Sequence, residues 1–149
     1  MFDRMAKPAE RQPGDLNTKL MRVARAHRTL AASMLSQVGL HPGQEALLME
    51  LWDHDGRTQA NLADSLGVEP PTVTKMLQRM ENADLVDRRP DATDRRAVRV
   101  YLTPKGRRLK NKVDKLWAEL ETRTVVGLSD RQQGTLRSLL NSLEGNLST

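Results

Sequence analysis

Between residues 58 and 102 the apolar residues keep a helical period twice, across one glycine, and then switch to strict alternation. Few folds accept that order. The stretch reads TQANLADSLGVEPPTVTKMLQRMENADLVDRRPDATDRRAVRVYL. Ala60, Leu62, Ala63 and Leu66 predict a first helix over 59–66. Gly67 stands where a helix C-terminus favours a residue tolerant of positive φ. Pro70 and Pro71 cannot lie inside a helix, but proline fits its first turn, where no backbone donor is required. Val73, Met76, Leu77 and Met80 then form the apolar stripe of a second helix. Its other face carries Thr72, Thr74, Lys75, Gln78 and Arg79, groups suited to phosphates and base edges. Arg88 and Arg89, a polar turn from Pro90 to Asp94, and Arg95 and Arg96 come next. Val98, Val100 and Leu102 alternate with Arg99 and Tyr101, the period of a strand. Helix, turn, helix and an arginine-tipped hairpin make a winged helix-turn-helix.

The charge is concentrated in the same place. Residues 75–110 hold eleven Lys and Arg against five Asp and Glu, whereas the remainder holds thirteen against fourteen. The whole basic excess of the chain therefore lies on the second helix, the hairpin and the segment beyond. A solvated charged face is the plain reading of such a run, but on a winged helix it points to a polyanion-binding surface.

LADSLGV, TVTKMLQRME, the D-x-R element Asp94-Arg95-Arg96 and LTPKG (Leu102 to Gly106) occur in an order that resembles the MarR family of bacterial transcriptional regulators. The resemblance covers nearly the whole chain. It implies a mainly α chain with a small β-hairpin wing (α+β), a winged helix-turn-helix flanked by N- and C-terminal dimerisation helices. The expected layout is a flexible tail at 1–14 and a single domain at 15–149. Within that domain the winged core spans 41–104, with dimerisation helices at 15–38 and 104–147. The implied function is a sequence-specific DNA-binding regulator. It would act as a repressor that binds a near-palindromic operator as a homodimer and is released by a small aromatic or anionic effector. A dimer sets two recognition helices about one turn of DNA, roughly 34 Å, apart.

The flanking segments are consistent with this. Leu16, Leu20, Val23, Ala24, His27, Leu30, Ala31, Met34 and Leu35 recur at helical spacing, and Gly39 ends that helix. His41-Pro42 is expected to start a second helix through Leu47, Leu48, Leu51 and Trp52, closed by residues 53–56. Arg57-Thr58 can add an edge strand to the wing. Thr103-Pro104-Lys105 is a cap-then-proline start for a helix running to about Val126. Gly127 breaks it, and Ser129-Asp130 caps a last helix bearing Leu136, Leu139, Leu140, Leu143 and Leu147. These helices carry more apolar face than one small winged domain covers, and a second copy would bury it. Residues 1–14 have no periodic apolar face and read as a mobile tail, with a minor-groove arm as the functional alternative.

In the expected interface Thr72, Thr74, Lys75 and Gln78 face the major groove and Arg79 reaches phosphate. The plainer role for the two threonines is helix N-terminal capping. Arg95 or Arg96 enters the minor groove, where narrow A·T segments attract a guanidinium. The family resemblance favours Arg96, with Asp94 bracing it by an ion pair; the plainer role for Asp94 is a turn residue bonding its own backbone. An effector is expected between the winged core and the dimerising helices. His27, His41, Trp52 and His54 are its candidate contacts, against ordinary roles as helix-end and core residues.

Other classes fit poorly. With no cysteine there is no disulfide, thiolate metal site or thiol redox switch. The three histidines form no i, i+4 pair for a helical metal site, and no cofactor is expected. An enzyme acting on nucleic acid needs carboxylates converging in a pocket, whereas Asp84, Asp87, Asp91 and Asp94 string along a hairpin among arginines. A wing used only for protein contacts would not need the basic excess. An architectural, largely sequence-independent DNA-binding protein is the alternative that remains. No apolar run approaches the roughly 18 residues of a membrane helix, and the charged N-terminus lacks the apolar stretch of a signal peptide. A soluble, cytoplasmic protein is the expectation.

Overall fold

The computed structural model describes residues 14–148. Of the expected tail or minor-groove arm at 1–14, all but Gly14 lies outside them. In chain order the elements are α1 (Asp15–Ser36), α2 (Gln44–Asp53), β1 (Arg57–Thr58), α3 (Gln59–Leu66), α4 (Pro70–Asn82), β2 (Val86–Pro90), β3 (Val98–Leu102), α5 (Pro104–Thr124) and α6 (Asp130–Leu147). The three strands form one antiparallel sheet in the order β1-β3-β2. Arg57 pairs with Val100, and Val86 with Leu102. None of the described helices is long and apolar enough to cross a membrane.

Three of the six described helices begin at a side-chain cap. The Thr58 hydroxyl accepts the Asn61 N–H at the start of α3, and Thr103 accepts the Gly106 N–H at the start of α5. Ser129 and Gln132 form a reciprocal capping box on α6. One start differs from expectation. His41-Pro42 does not open α2: Gly43 takes φ 92, outside the helical region, and the helix begins at Gln44. The Gln44 side chain turns back and accepts the His41 N–H at 3.0 Å. At the far end of α5 the regular helix stops at Thr124, two residues before Val126.

The core forms where the apolar faces of α2, α3 and α4 meet the sheet and the start of α5. Leu47, Leu48, Leu51, Leu62, Val73, Leu77, Met80, Val100 and Val113 have no solvent exposure. A smaller cluster of Ala31, Met34 and Leu120 joins α1 to α5. The LTPKG segment ties these layers together. Thr103 donates its hydroxyl to the Asp84 carbonyl (2.6 Å), and its N–H to the Leu85 carbonyl (3.1 Å). Lys105 Nζ reaches the Ala83 carbonyl at 2.8 Å. Gly106 permits this approach, because a Cβ there would lie 2.2 Å from the Leu85 carbonyl oxygen. Gly106→Ala must therefore push α5 off the sheet and should destabilise the fold by about 1–3 kcal/mol or more, the scale of overpacking. Thermal unfolding checks this, and an unchanged melting temperature would contradict the close packing.

The last helix stands apart. None of the side chains of α6 is buried, and Leu139, Leu140, Leu143 and Leu147 are 43–73% exposed. Leu16, Leu20, Met21 and Val23 on the first half of α1 are likewise exposed.

Candidate nucleic-acid interface

Helix α4 has two distinct faces. Val73, Leu77 and Met80 are buried against the core, and Thr72, Thr74, Lys75, Gln78 and Arg79 are exposed. Pro70 and Pro71 occupy the first turn, and the N-cap residue Glu69 makes no side-chain cap. Neither threonine caps the helix. Thr74 instead donates its hydroxyl to the Pro70 carbonyl at 3.1 Å and accepts from Gln59 Nε2 at 2.6 Å. This bond ties α3 to the exposed face of α4 and places Gln59 beside it. Thr72 keeps a free, exposed hydroxyl position on the same face.

The basic excess separates into two sets. Arg88, Arg89, Arg99, Arg107 and Lys110 pair with carboxylates. Among the described residues, Lys75, Arg79, Arg95, Arg96, Lys105 and Arg108 make no ion pair, and all six are exposed, Lys105 being turned to the Ala83 carbonyl. Arg88 and Arg99 of the first set tie the wing to the rest of the fold, and the second set remains available to a polyanion. Arg88 belongs to the first: its backbone N–H, Nε and Nη2 all engage the Glu81 carboxylate (3.0, 2.9 and 2.7 Å). That clamp fixes the C-terminal end of α4 against the base of the wing. The Arg88 side-chain bonds are the main reason the Glu81 carboxyl is held below its ordinary range. On the second strand face, the Arg89 guanidinium lies 4.9 Å from the centre of the Tyr101 ring.

The wing tip is built around Asp91, which is only 6% exposed. One carboxylate oxygen accepts from Thr93 N–H and Thr93 Oγ1, both at 2.7 Å, and from Asp94 N–H at 3.1 Å. The other accepts from Arg99 Nε, and the same guanidinium reaches the Gly56 carbonyl at 2.7 Å. Asp91 thus connects the tip, strand β3 and the loop before β1. The Thr93 hydroxyl and N–H, then the Asp94 N–H and Arg99, hold its carboxyl well below the usual carboxylate range. Asp94 has the plainer of its two expected parts, that of a turn residue bonding the backbone, and not the bracing one. It accepts the Arg96 backbone N–H at 3.0 Å and makes no ion pair with the Arg96 guanidinium. Two residues are too close along a turn for the long arginine side chain to fold back as easily as the backbone donor approaches. Asp91, Arg99, Glu81 and Gln59 were not singled out as functional residues from the sequence. The D-x-T spacing of Asp91 and Thr93, typical of a side chain bonding the backbone two residues on, was the one local signal.

The four expected effector contacts do not converge. Trp52 is half-buried against the core and donates Nε1 to the Gly106 carbonyl at 3.0 Å. His54 is exposed and meets only its neighbour Asp53 (2.8 Å). His41 lines a cleft with Thr72, Lys75 and Arg79, on the exposed side of α4. His27 alone reaches a sizeable cavity, about 470 Å³, among α1, α5 and α6, where Trp117, Leu120, Gln133 and Arg137 also lie. Among the described residues no group of three His, Asp or Glu is placed to hold a metal ion.

Comparison with known proteins agrees with this architecture. The family model described as "MarR family" matches residues 40–98. The organic hydroperoxide resistance transcriptional regulator of Bacillus subtilis is 30% identical over 116 residues, 78% of this chain and 76% of that protein. The HTH-type transcriptional regulator TtmR of Methylorubrum extorquens is 33% identical over 111 residues. That match takes in 74% of this chain but only 54% of TtmR. Among solved structures, a cysteine-to-serine mutant of E. coli MarR complexed with operator DNA is 25% identical with a TM-score of 0.76. It covers 86% of this chain and 92% of that one. With the winged helix-turn-helix in place and relatives matched along most of their length, the chain belongs to the MarR family.

Proposed function

We propose that the protein is a sequence-specific DNA-binding transcriptional regulator that represses from a near-palindromic operator as a homodimer in the cytoplasm. The observation that carries this reading is the set of unpaired, exposed groups on α4 and the wing tip. Thr72, Lys75, Gln78 and Arg79 offer a hydroxyl, an amide and two cations for base edges and phosphates. Arg95 and Arg96 extend from a tip stiffened by Asp91, as minor-groove contact requires. The related structure bound to operator DNA supports the same use of the fold. The exposed leucines of α6 and the apolar start of α1 support a second copy as the partner that covers them.

A small aromatic or anionic effector fits the cavity among α1, α5 and α6. Its volume lies in the range of ligand sites. Trp117 and Leu120 offer apolar surface there, Arg137 offers a cation and Glu121 a carboxylate, and His27 adds a polar ring. Its occupation would change the angle at which α5 and α6 carry the two winged domains. A coupling of about 1–3 kcal/mol between the sites is enough to release DNA. Repeated selection of bound fragments from random duplex DNA tests the function. Recovery of an inverted repeat with half-sites about one helical turn apart is the expected result. Recovery of no common sequence would make this an architectural binder.

A further inference from the structure

The contacts assigned so far stop at α4 and the wing, yet the start of α2 lies against the same helix. A cleft of about 220 Å³ runs between them, lined by His41 and Gln44 on one side and by Thr72, Lys75, Met76 and Arg79 on the other. Gly43 brings α2 close: a Cβ there would lie 3.4 Å from Met76 Cε. Gln44 is buried and holds the His41 backbone N–H, so His41 is fixed in place while its side chain stays exposed. Every ionisable group lining the cleft is basic. Lys75 and Arg79 face His41 from α4. On its own side the nearest acid in sequence is Glu45, which does not line the cleft and has one carboxylate oxygen buried without a partner.

We infer that His41, Lys75 and Arg79 clamp one backbone phosphate of the DNA in each subunit, and that His41 takes up a proton as the phosphate binds. A phosphate anion held between the three side chains favours the charged imidazole. Imidazole is the side chain that changes charge across the mildly acidic range, so the clamp tightens there. The proton comes from solvent, and no covalent bond changes. The inference rests on the DNA-binding reading and extends it to a residue outside the recognition helix and wing. It also gives the protein a pH-dependent grip on any duplex, independent of sequence, because phosphates carry no base information.

The test is fluorescence anisotropy of the full chain with random-sequence duplex DNA at low ionic strength, at about pH 6 and about pH 8. The wild type is expected to bind roughly three- to tenfold more tightly at the lower pH. His41→Ala should remove that difference. At the lower pH it should also reduce the slope of log affinity against log salt, by at most about two units per dimer, since each phosphate contact contributes about 0.9 and Lys75 and Arg79 still hold this one. His41→Lys should bind tightly at both pH values, a rescue that a purely structural imidazole would not allow. If His41→Ala keeps the wild-type pH dependence and salt slope, the clamp is wrong and the DNA-binding function stands. If the wild type binds no duplex even at low salt, both are wrong.

Discussion

Glutamate at Leu139 and Leu143 is expected to split the protein into monomers and to weaken operator binding by about 10²–10⁴-fold, the range of avidity lost when two linked sites become one. Both leucines lie on α6, which buries none of its side chains within one copy. A leucine moved from water to an apolar contact contributes about 1.5–3 kcal/mol, and a symmetric interface uses each one twice. A carboxylate in the same contact has no partner among these leucines and would oppose association. Neither residue touches the core, so the winged domain should keep its fold. Sedimentation and anisotropy on one sample separate the two effects. A double mutant that remains dimeric would show that α6 is covered by something other than a second copy. A monomer with unchanged operator affinity would show that each winged domain reads DNA alone.

The second large effect is expected at the wing, where two substitutions should differ in kind. Arg96→Ala removes an exposed guanidinium that makes no ion pair, so stability should stay within about 0.5 kcal/mol of wild type. Operator affinity should nevertheless fall about 10- to 100-fold, the scale of two lost contacts at roughly 1 kcal/mol each or slightly more. Asp91→Ala leaves both wing-tip arginines in place but removes the acceptor shared by Thr93, Asp94 and Arg99. It should weaken operator binding as well. Unlike Arg96→Ala, it should also raise amide hydrogen exchange at residues 91–97 and free Arg99 from the Gly56 loop. Because the Asp91 carboxyl is held well below its usual range, its contribution is complete above the ordinary aspartate range. It disappears only as the pH falls through the lowered value, under strongly acid conditions. Wing order should therefore be constant through neutral and mildly acidic pH, leaving any pH dependence of binding there to other groups. Wild-type exchange rates in Asp91→Ala would contradict the bracing role.

How much of this could be read from the chain depends on the range of each interaction. The bounds of α3 and the Thr103 and Ser129 caps follow from neighbours within a few residues, and periodicity and cap chemistry report such neighbours directly. The α2 start was displaced by Gly43, whose positive φ overrides a proline-led beginning. Asp91 looked like any turn aspartate because two of its connections are remote. Arg99 lies eight residues on, and Arg99 in turn reaches Gly56 across 43 residues. Asp94, two residues before the arginine it was expected to brace, binds that residue's backbone N–H instead. Trp52 likewise showed its apolar character but not its bond to Gly106, 54 residues away. The effector candidates suffered most. Four residues spaced over 28 positions, two on α1 and α2 and two in the segments flanking α2, were assigned to one junction, and only packing could show that His41 faces α4 while His27 faces α5 and α6.

The most direct test of the central claim is operator preference at physiological salt. Purified protein would be titrated by fluorescence anisotropy against duplex DNA from upstream of its own gene and against a shuffled duplex of the same composition. The proposed function predicts a preference of about 10³-fold or more for the native fragment, the range of specific regulators. Equal, strongly salt-dependent binding to that fragment, to the shuffled control and to the fragments recovered by selection would contradict it, and would leave a protein that holds DNA by its phosphates alone.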